Sequence, residues 1–207
     1  KAYGLERAKN YNIPSLIIDH NNFSSREDFD SSLVSGINSF KPDLVVLAGF
    51  MRILSPLVTD TFNNMMINIH PSLLPSYKGL NTHHRVLTDK MKVTGCTVHI
   101  VRKELDNGPI IIQFEVPVKS DDTEKILSKR VLKMEHKIYP YALMLLSSKK
   151  INLDNLYLAL TISYSDLPTV LFCKYVKSTN KNNRLIHLTV YGNFLDLTGS
   201  KFNPINT

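Results

Sequence analysis

The 207-residue sequence predicts an α/β protein with an open, mainly parallel sheet and helices on both faces. Strand-like and helix-like segments alternate along roughly its first 150 residues, as they do in proteins built from βα units. One of these segments, Asp43–Gly49, is almost entirely apolar. A continuous apolar run is typical of a parallel strand buried on both faces.

The elements before and after this strand follow from local signals. Lys1–Tyr11 is predicted to be a helix, and the apolar run Ser15–Ile18 a short strand. Ser25–Asp28 resembles a capping box, so a second helix is expected from there to about residue 40. Ser55-Pro56 predicts the start of another short helix, because proline is favoured in the first helical turn.

Between residues 66 and 147 the sequence predicts a strand, a helix, a hairpin and a long final helix. Asp121 and Glu124 indicate the start of an amphipathic helix to about residue 147, interrupted near Pro140. A turn at residues 106–109 joins two of the strands. In chain order, the predicted elements before the final helix are the strand Met66–Ile69, a helix at Thr82–Lys90 and the strands Gly95–Val101 and Ile110–Val118.

Composition narrows the class of protein. The formal charge is +7, but lysine and arginine are dispersed rather than interleaved with aromatic residues, so we expect no nucleic-acid partner. No apolar run is long enough to cross a bilayer, and residues 1–14 have no signal-peptide core, so no membrane partner is expected. Cys96 and Cys173 lie far apart without metal-ligand spacing, which favours a reducing, cytoplasmic location. The oligomeric state is left open.

Three polar residues could do chemistry at one edge of the predicted sheet. Asn68 and His70 lie two apart at the end of a strand, so both side chains share a face. Asp106 follows a later strand, and strand-end loops converge at the ligand-binding edge of such sheets. An amide and a protonated imidazole could donate two hydrogen bonds to an oxyanion. A carboxylate beside the imidazole would raise the pKa of His70 and could relay a proton.

Structural interpretations compete with this hypothesis. Asn68 and His70 could simply cap the turn at Pro71 through backbone contacts. Asp106 begins the sequence Asp-Asn-Gly-Pro, which is ordinary turn chemistry.

Longer motifs favour the catalytic interpretation. The run Asn68–Pro75 (NIHPSLLP), followed by Gly79-Leu80 and Thr82-His83, resembles the folate-dependent formyltransferases. Within that family it is most similar to the branch that formylates glycinamide ribonucleotide. Further segments agree in the expected order: AYGLERA at 2–8, AGFMRILSP at 48–56, LDNGPIIIQ at 105–113 and EHKIYP at 135–140.

The resemblance implies a reaction and a set of roles. The amine of glycinamide ribonucleotide would attack the formyl carbon of 10-formyltetrahydrofolate, in de novo purine biosynthesis and without a metal. His70 would be the general acid, Asn68 a second donor to the oxyanion, and Asp106 the group that holds His70 protonated and assists proton removal. Implied folate-binding residues are Arg26, near the folate tail, with Met51, Arg52, Ile53, Leu54, Asn68, Arg102, Lys103, Glu104, Leu105 and Asp106. The resemblance also implies four residues that bind the nucleotide substrate: Leu132, Lys133, Met134 and Glu135. Among them, Glu135 would bind the ribose hydroxyls of the nucleotide.

The chain also departs from the family pattern. The initial strand and the glycine-serine-asparagine loop that binds the substrate phosphate are not found in it, so we expect an N-terminally truncated catalytic domain at 1–150. Residues 151–207 form an extension of unknown role, with a possible hairpin at Arg184–Leu197. Two alternatives stay open: an enzyme like methionyl-tRNA formyltransferase, and a non-catalytic folate-binding remnant. A deformylase is a weaker alternative.

Overall fold

The computed structural model describes residues 3–147, and, further along the chain, the strands at 160–164 and 171–174. The hairpin predicted at Arg184–Leu197 lies outside the described residues. The helices are α1 (Tyr3–Asn10), α2 (Arg26–Ser39), α3 (Pro56–Thr61), α4 (Thr82–Thr88) and α5 (Glu124–Ser147), with a 3-10 turn at His20–Asn22. The strands are β1 (Val45–Leu47), β2 (Met66–His70), β3 (Val93–Ile100), β4 (Ile110–Pro117), β5 (Leu160–Tyr164) and β6 (Leu171–Lys174).

Within the described residues, six strands form one sheet in the order β1 to β6. The pairs β1–β2 and β4–β5 are parallel, and the other three pairs are antiparallel. The predicted α/β class with an open sheet is confirmed, but the expectation of a mainly parallel sheet is wrong because the sheet is mixed. The connection between β3 and β4 covers only residues 101–109, whereas a parallel crossover needs about a dozen residues or more.

Residues 3–44, the described part of the chain before β1, contain helices but no strand. Ser25 caps α2 as predicted, since its hydroxyl accepts the Asp28 amide at 3.1 Å. The strand predicted at Ser15–Ile18 is not formed, and Leu16 and Ile17 are 54% and 70% exposed. None of the described strands pairs with this run, and apolar composition makes a strand only where a neighbouring edge completes the hydrogen-bond ladder.

The main core lies between α5 and the central strands. Apolar residues recur every three or four positions along α5, so one helix face is buried. The buried positions are Leu127, Val131, Met134, Ile138, Tyr139, Ala142 and Leu145. They pack against Val98, Ile112 and Phe114 of β3 and β4. The helix continues through Pro140 instead of breaking there, so the predicted interruption is wrong.

A buried tyrosine connects α5 to the strand ends. The Tyr139 hydroxyl donates to the carbonyl oxygens of Leu47 and Ile67, at 2.6 and 3.1 Å. Leu47 is the last residue of β1, and Ile67 directly precedes Asn68 on β2. These hydrogen bonds hold the end of β1 and the residue before Asn68 against α5, and so support the strand that carries the first polar residue of the candidate site.

Candidate active site

Three short segments gather the polar residues at one edge of the sheet. β2 supplies Asn68 and His70, and the loop between β3 and β4 supplies Asp106. The antiparallel register pairs Asn68 with His99 and His70 with Thr97. Directly opposed residues in a sheet share a face, so His99 lies on the same face as Asn68 and His70. The site therefore contains His99 besides the three predicted residues.

Asp106 lies between two buried imidazoles. Its Oδ2 is 3.3 Å from His70 Nδ1, and its Oδ1 is 3.6 Å from His99 Nε2. Asn68 Nδ2 lies 3.3 Å from the same His99 nitrogen. The structure therefore brings the three sequence-predicted catalytic residues together, with His99 as the connection between Asn68 and Asp106.

The loop that carries Asp106 has a constrained backbone. Asp106 has a φ of 48°, in the left-handed region that most residues avoid. Two residues on, a Cβ atom on Gly108 would lie only 1.7 Å from the Ile100 carbonyl oxygen. The turn predicted from Asp-Asn-Gly-Pro therefore has a second effect: its backbone conformation directs the Asp106 carboxylate toward His70. Unusual backbone at such a position is common in functional sites.

The loop after β2 supplies backbone partners to the same groups. His70 Nε2 lies 2.9 Å from the Tyr77 carbonyl oxygen, and the Gly79 amide donates to Asp106 Oδ2 at 2.8 Å. Arg85 supports this loop, since its guanidinium donates to the Lys78 carbonyl at 2.7 Å and lies 5.3 Å from the centre of the Tyr77 ring. Both ring nitrogens of His70 therefore face oxygen acceptors.

Burial changes the protonation expected from the sequence. Desolvation lowers the pKa of His70, and this outweighs the opposing effects of the Tyr77 carbonyl and of Asp106. The expectation that Asp106 raises the pKa of His70 is confirmed as to its direction, but the expectation of a protonated His70 is not, because desolvation by burial makes the net shift downward. Burial alone would raise the pKa of Asp106, but His99, the Gly79 amide and His70 together lower it. At neutral pH the site thus offers an ionised carboxylate beside an imidazole that is largely neutral.

These groups line a cavity of about 380 Å³. Its remaining walls come from the segment after β1 and from the loop after β3. The sequence-predicted residues that line it are Met51, Arg52, Ile53, Leu54, Asn68, His70, Arg102, Lys103, Glu104, Leu105 and Asp106. Leu47, Leu80 and Val101 add apolar surface. A cavity of this size, largely apolar with a few convergent polar groups, suits a flat ring system.

Five predicted binding residues lie elsewhere. Arg26 does not line the cavity, and its guanidinium instead donates to the Ile53 carbonyl. The four α5 residues are also outside the cavity lining. Among them the Met134 side chain is packed in the core, and Leu132 is 46% exposed. Lys133 is exposed. The last of the four, Glu135, is partly buried, and burial raises the pKa of its carboxyl.

The residue that the sequence did not single out is His99. It is the one ionisable ring in the strand VTGCTVHI, two positions after Thr97, which was the available signal. Its Nδ1 lies 2.9 Å from the Ile100 carbonyl, and only 2% of the residue is exposed. Recognising its role requires the β2–β3 register, which no local pattern specifies.

Neither a metal-binding cluster nor a membrane-spanning helix is found in the described part of the chain. Among those residues, no group of three or more histidine, cysteine, aspartate or glutamate side chains is arranged to hold a metal ion. None of the described helices combines the length and apolarity needed to cross a membrane.

The fold and this arrangement define a one-carbon transferase class. Residues 1–143 match the family model for formyl transferases, and the chain therefore belongs to that family. The resemblance inferred from the motifs is confirmed. Enzymes of the branch described next act on small molecules and use 10-formyltetrahydrofolate as a cosubstrate.

Within the family, the similar proteins include phosphoribosylglycinamide formyltransferases and trifunctional purine biosynthetic proteins. The enzyme of that name from Escherichia coli K12 is 47% identical over 139 residues, covering 67% of this chain and 66% of that protein. The trifunctional purine biosynthetic protein adenosine-3 of Bos taurus is 48% identical over 150 residues. That match covers 72% of this chain but only 15% of the bovine protein.

A solved structure agrees with the sequence matches. The phosphoribosylglycinamide formyltransferase of Coxiella burnetii superposes with a TM-score of 0.69 at 45% identity. The superposition covers 73% of this chain and 72% of the other.

Proposed function

We propose that this protein transfers the formyl group of 10-formyltetrahydrofolate to the amine of glycinamide ribonucleotide, a step of purine biosynthesis. The observation that carries the proposal is the meeting of Asn68, His70 and Asp106 at one cavity of about 380 Å³. Family membership supports the type of reaction, and the similar proteins named above support the acceptor.

The cavity walls suit the pterin of the cosubstrate. Residues 51–54 form neither helix nor strand, so their backbone groups, apart from the Ile53 carbonyl that accepts from Arg26, are available to the polar edge of a bicyclic ring. Residues 102–105 form the opposite wall on the loop that leads to Asp106. When bound there, 10-formyltetrahydrofolate would supply the formyl group.

Asn68 and His70 would stabilise the charge that develops on the formyl oxygen. Asn68 Nδ2 can donate one hydrogen bond, and an imidazole N–H of His70 can donate another. One ring nitrogen of His70 carries a proton even when the imidazole is neutral. Without ligand, both nitrogens face protein oxygens, those of the Tyr77 carbonyl and of Asp106. The ring N–H would therefore share or exchange one of these acceptors for the formyl oxygen when the folate is bound. Preorganised donors in a buried site cost little reorganisation during the reaction.

Asp106 would accept the proton that the attacking amine must lose. Its lowered pKa keeps it ionised near neutral pH, and His70 and His99 hold it in place. As the new C–N bond forms and the bond to the folate nitrogen breaks, a proton must also reach that nitrogen. His70 can deliver it after the proton accepted by Asp106 passes across the 3.3 Å between Asp106 Oδ2 and His70 Nδ1, so that both side chains end in their starting protonation states.

The nucleotide substrate would approach from the side of α5. Within the predicted segment Leu132–Glu135, Glu135 offers a carboxylate to ribose hydroxyls. Its raised pKa marks a partly desolvated group, which is the state expected of a carboxylate that exchanges water for ligand hydroxyls.

The proposal extends to the organisation and location of the chain. Residues 1–150 would form the catalytic domain, and 151–207 an extension whose β5 pairs with β4 in parallel. A cytoplasmic location fits the buried, free thiol of Cys96.

The experiment compares acceptors directly. The 207-residue chain is mixed with 10-formyltetrahydrofolate and either glycinamide ribonucleotide or methionylated initiator tRNA, and formylated product is quantified by mass spectrometry. We expect product from glycinamide ribonucleotide alone. Product from the tRNA would favour the methionyl-tRNA alternative, and folate binding without turnover on either acceptor would favour a non-catalytic remnant.

A further inference from the structure

A single peptide unit connects Arg85 of α4 to Asp106. The carbonyl oxygen of Lys78 accepts a hydrogen bond from Arg85 Nη1 at 2.7 Å. The N–H at the other end of the same peptide, that of Gly79, donates to Asp106 Oδ2 at 2.8 Å. A trans peptide unit is planar, and its C=O and N–H point in opposite directions. The direction in which Arg85 holds the carbonyl therefore sets the direction of the N–H that faces the carboxylate.

The same contact strengthens the hydrogen bond to Asp106. A cationic donor at the carbonyl polarises the peptide, and hydrogen bonds that are linked in a chain strengthen one another. Asp106 is only 9% exposed, so water screens this effect little. Arg85 thus influences both the position of the Gly79 N–H and the strength with which it holds the carboxylate.

Other contacts restrain different parts of the β2–α4 loop, residues 71–81. The Ser72 hydroxyl donates to the Ser76 carbonyl at 2.7 Å and so fixes the first half of the loop. In the second half, the Lys78 side chain donates to the side chain of Asn107. That contact runs through a long, flexible side chain, so it restrains the plane of the following peptide less than a bond to the carbonyl does. The hydrogen bond from α4 is therefore the direct restraint on the carbonyl end of this peptide.

Arg85 is itself held in place. Its guanidinium lies 5.3 Å from the centre of the Tyr77 ring, within range of a cation–π contact. The Tyr77 hydroxyl donates to Asp89 Oδ2 at 2.8 Å, and Asp89 lies one helical turn after Arg85, at the end of α4. Val86 is fully buried in the main core, so α4 is a fixed base for these contacts.

We propose that Arg85 is a positioning residue for Asp106, acting through the Lys78–Gly79 peptide, whose N–H holds the carboxylate beside His70. The inference rests on the proposed function, since it assumes that Asp106 takes part in formyl transfer. Arg85 is exposed and does not line the cavity, so it acts on the rate without touching the folate.

The sequence allows this one peptide to be observed by itself. Lysine is followed by glycine only once in the chain, at Lys78-Gly79. Labelling lysine with ¹³C at its carbonyl and glycine with ¹⁵N therefore selects one amide signal in an NMR spectrum of the 207-residue chain. The proton shift of that amide reports the strength of its hydrogen bond to Asp106.

Two variants of Arg85 are compared with a matched control. Arg85→Ala removes the guanidinium, and Arg85→Met keeps a long side chain over the Tyr77 ring but cannot donate. Arg7→Ala is the control, since it removes the same charge from an exposed arginine of another helix, α1. Each protein is measured by amide NMR, by thermal unfolding and by steady-state formyl transfer to glycinamide ribonucleotide.

Positioning predicts that both Arg85 variants stay folded and lower kcat about three- to tenfold, the effect of one hydrogen bond, with less than about a twofold change in the KM for the folate. The Gly79 amide proton should move to a lower chemical shift, because its hydrogen bond weakens. Asp106→Asn should move the same signal in the same direction, which shows that the signal reports this contact. Arg7→Ala should match the wild type in both measurements.

Three results would overturn the inference. In the first, kcat falls while the Gly79 signal stays in place, which assigns the effect to the charge of Arg85, a charge that also lowers the pKa of His70. In the second, the signal moves and kcat is unchanged. In the third, the Arg85 variants raise the KM for the folate and keep kcat, which makes Arg85 a binding residue. A wild-type chain that transfers no formyl group would instead contradict the proposed function, and the NMR comparison would still test the contact.

Discussion

Replacing Asp106 by asparagine should abolish most of the formyl transfer while preserving the fold. Asparagine has the same size and tolerates the left-handed backbone that Asp106 adopts, with a φ of 48°. Its amide oxygen can still accept the hydrogen bond that the Gly79 amide now donates at 2.8 Å. The charge beside His70 and the capacity to accept a proton are lost.

The expected size of the effect follows from those lost functions. A positioned general base contributes typically about 10²–10⁴ in rate, equivalent to about 3–5 kcal/mol of transition-state stabilisation. Losing the carboxylate 3.3 Å from His70 Nδ1 also removes an interaction that raises the pKa of that imidazole. We therefore expect kcat to fall at least about a hundredfold, with a small change in the KM for the folate.

The assay measures single-turnover and steady-state formyl transfer to glycinamide ribonucleotide, with thermal unfolding followed by circular dichroism. Asp122→Asn is the matched control. Its carboxylate is as buried, at 1% exposure, and is paired with Arg130 at 2.6 Å, but it does not line the cavity. This variant should lose stability and keep its rate. An Asp106→Asn variant within threefold of wild-type kcat, or an equal loss of kcat in both variants, would refute the assignment.

Other predictions test the donor, the turn and the ionisation of the site. Asn68→Ala should lower kcat by about 10²–10³ in steady-state assays, since one oxyanion donor is lost, and an unchanged kcat would contradict that role. Gly108→Ala should lower the Tm in a thermal melt, because the new Cβ would lie 1.7 Å from the Ile100 carbonyl oxygen, and an unaltered Tm would contradict the turn geometry. The pKa of His70 is lowered below its ordinary value of 6.5, so below that pH the unfolded chain binds more protons than the native chain. The free energy of unfolding in urea should therefore fall as the pH drops below 6.5. It should fall further below about pH 4, because the pKa of Asp106 is lowered from 3.8 and the unfolded chain takes up that proton first. Stability that is level from pH 6.5 to about pH 5 would contradict the His70 shift, and no further fall below about pH 4 would contradict the Asp106 shift.

The parts of the site that could be predicted from the sequence depend on short-range rules. Asn68 and His70 share a face because side chains alternate along a strand, and this holds whatever the strand's neighbours are. Asp106 could be placed at the sheet edge because the turn signal after it is strong. Motif resemblance predicted that residues 51–54 and 102–105 bind folate. The structure places them on the walls of the cavity, and their contact with folate stays a prediction.

The parts that could not be predicted depend on contacts between distant segments. His99 reaches the site through the antiparallel β2–β3 register, and the mixed sheet itself depends on which strands become neighbours. The direction of the His70 pKa shift depends on burial, which reverses the effect expected from the carboxylate alone. The run Ser15–Ile18 has strand-like residues, but strand formation needs a partner edge.

The most direct test of the account is a crystal structure of the chain with 10-formylfolate bound. We expect the ring between residues 51–54 and 102–105, and the formyl oxygen within about 3.2 Å of Asn68 Nδ2 and of a His70 ring nitrogen. A ligand bound elsewhere, or a formyl group directed away from these two side chains, would contradict the assignment of the catalytic site.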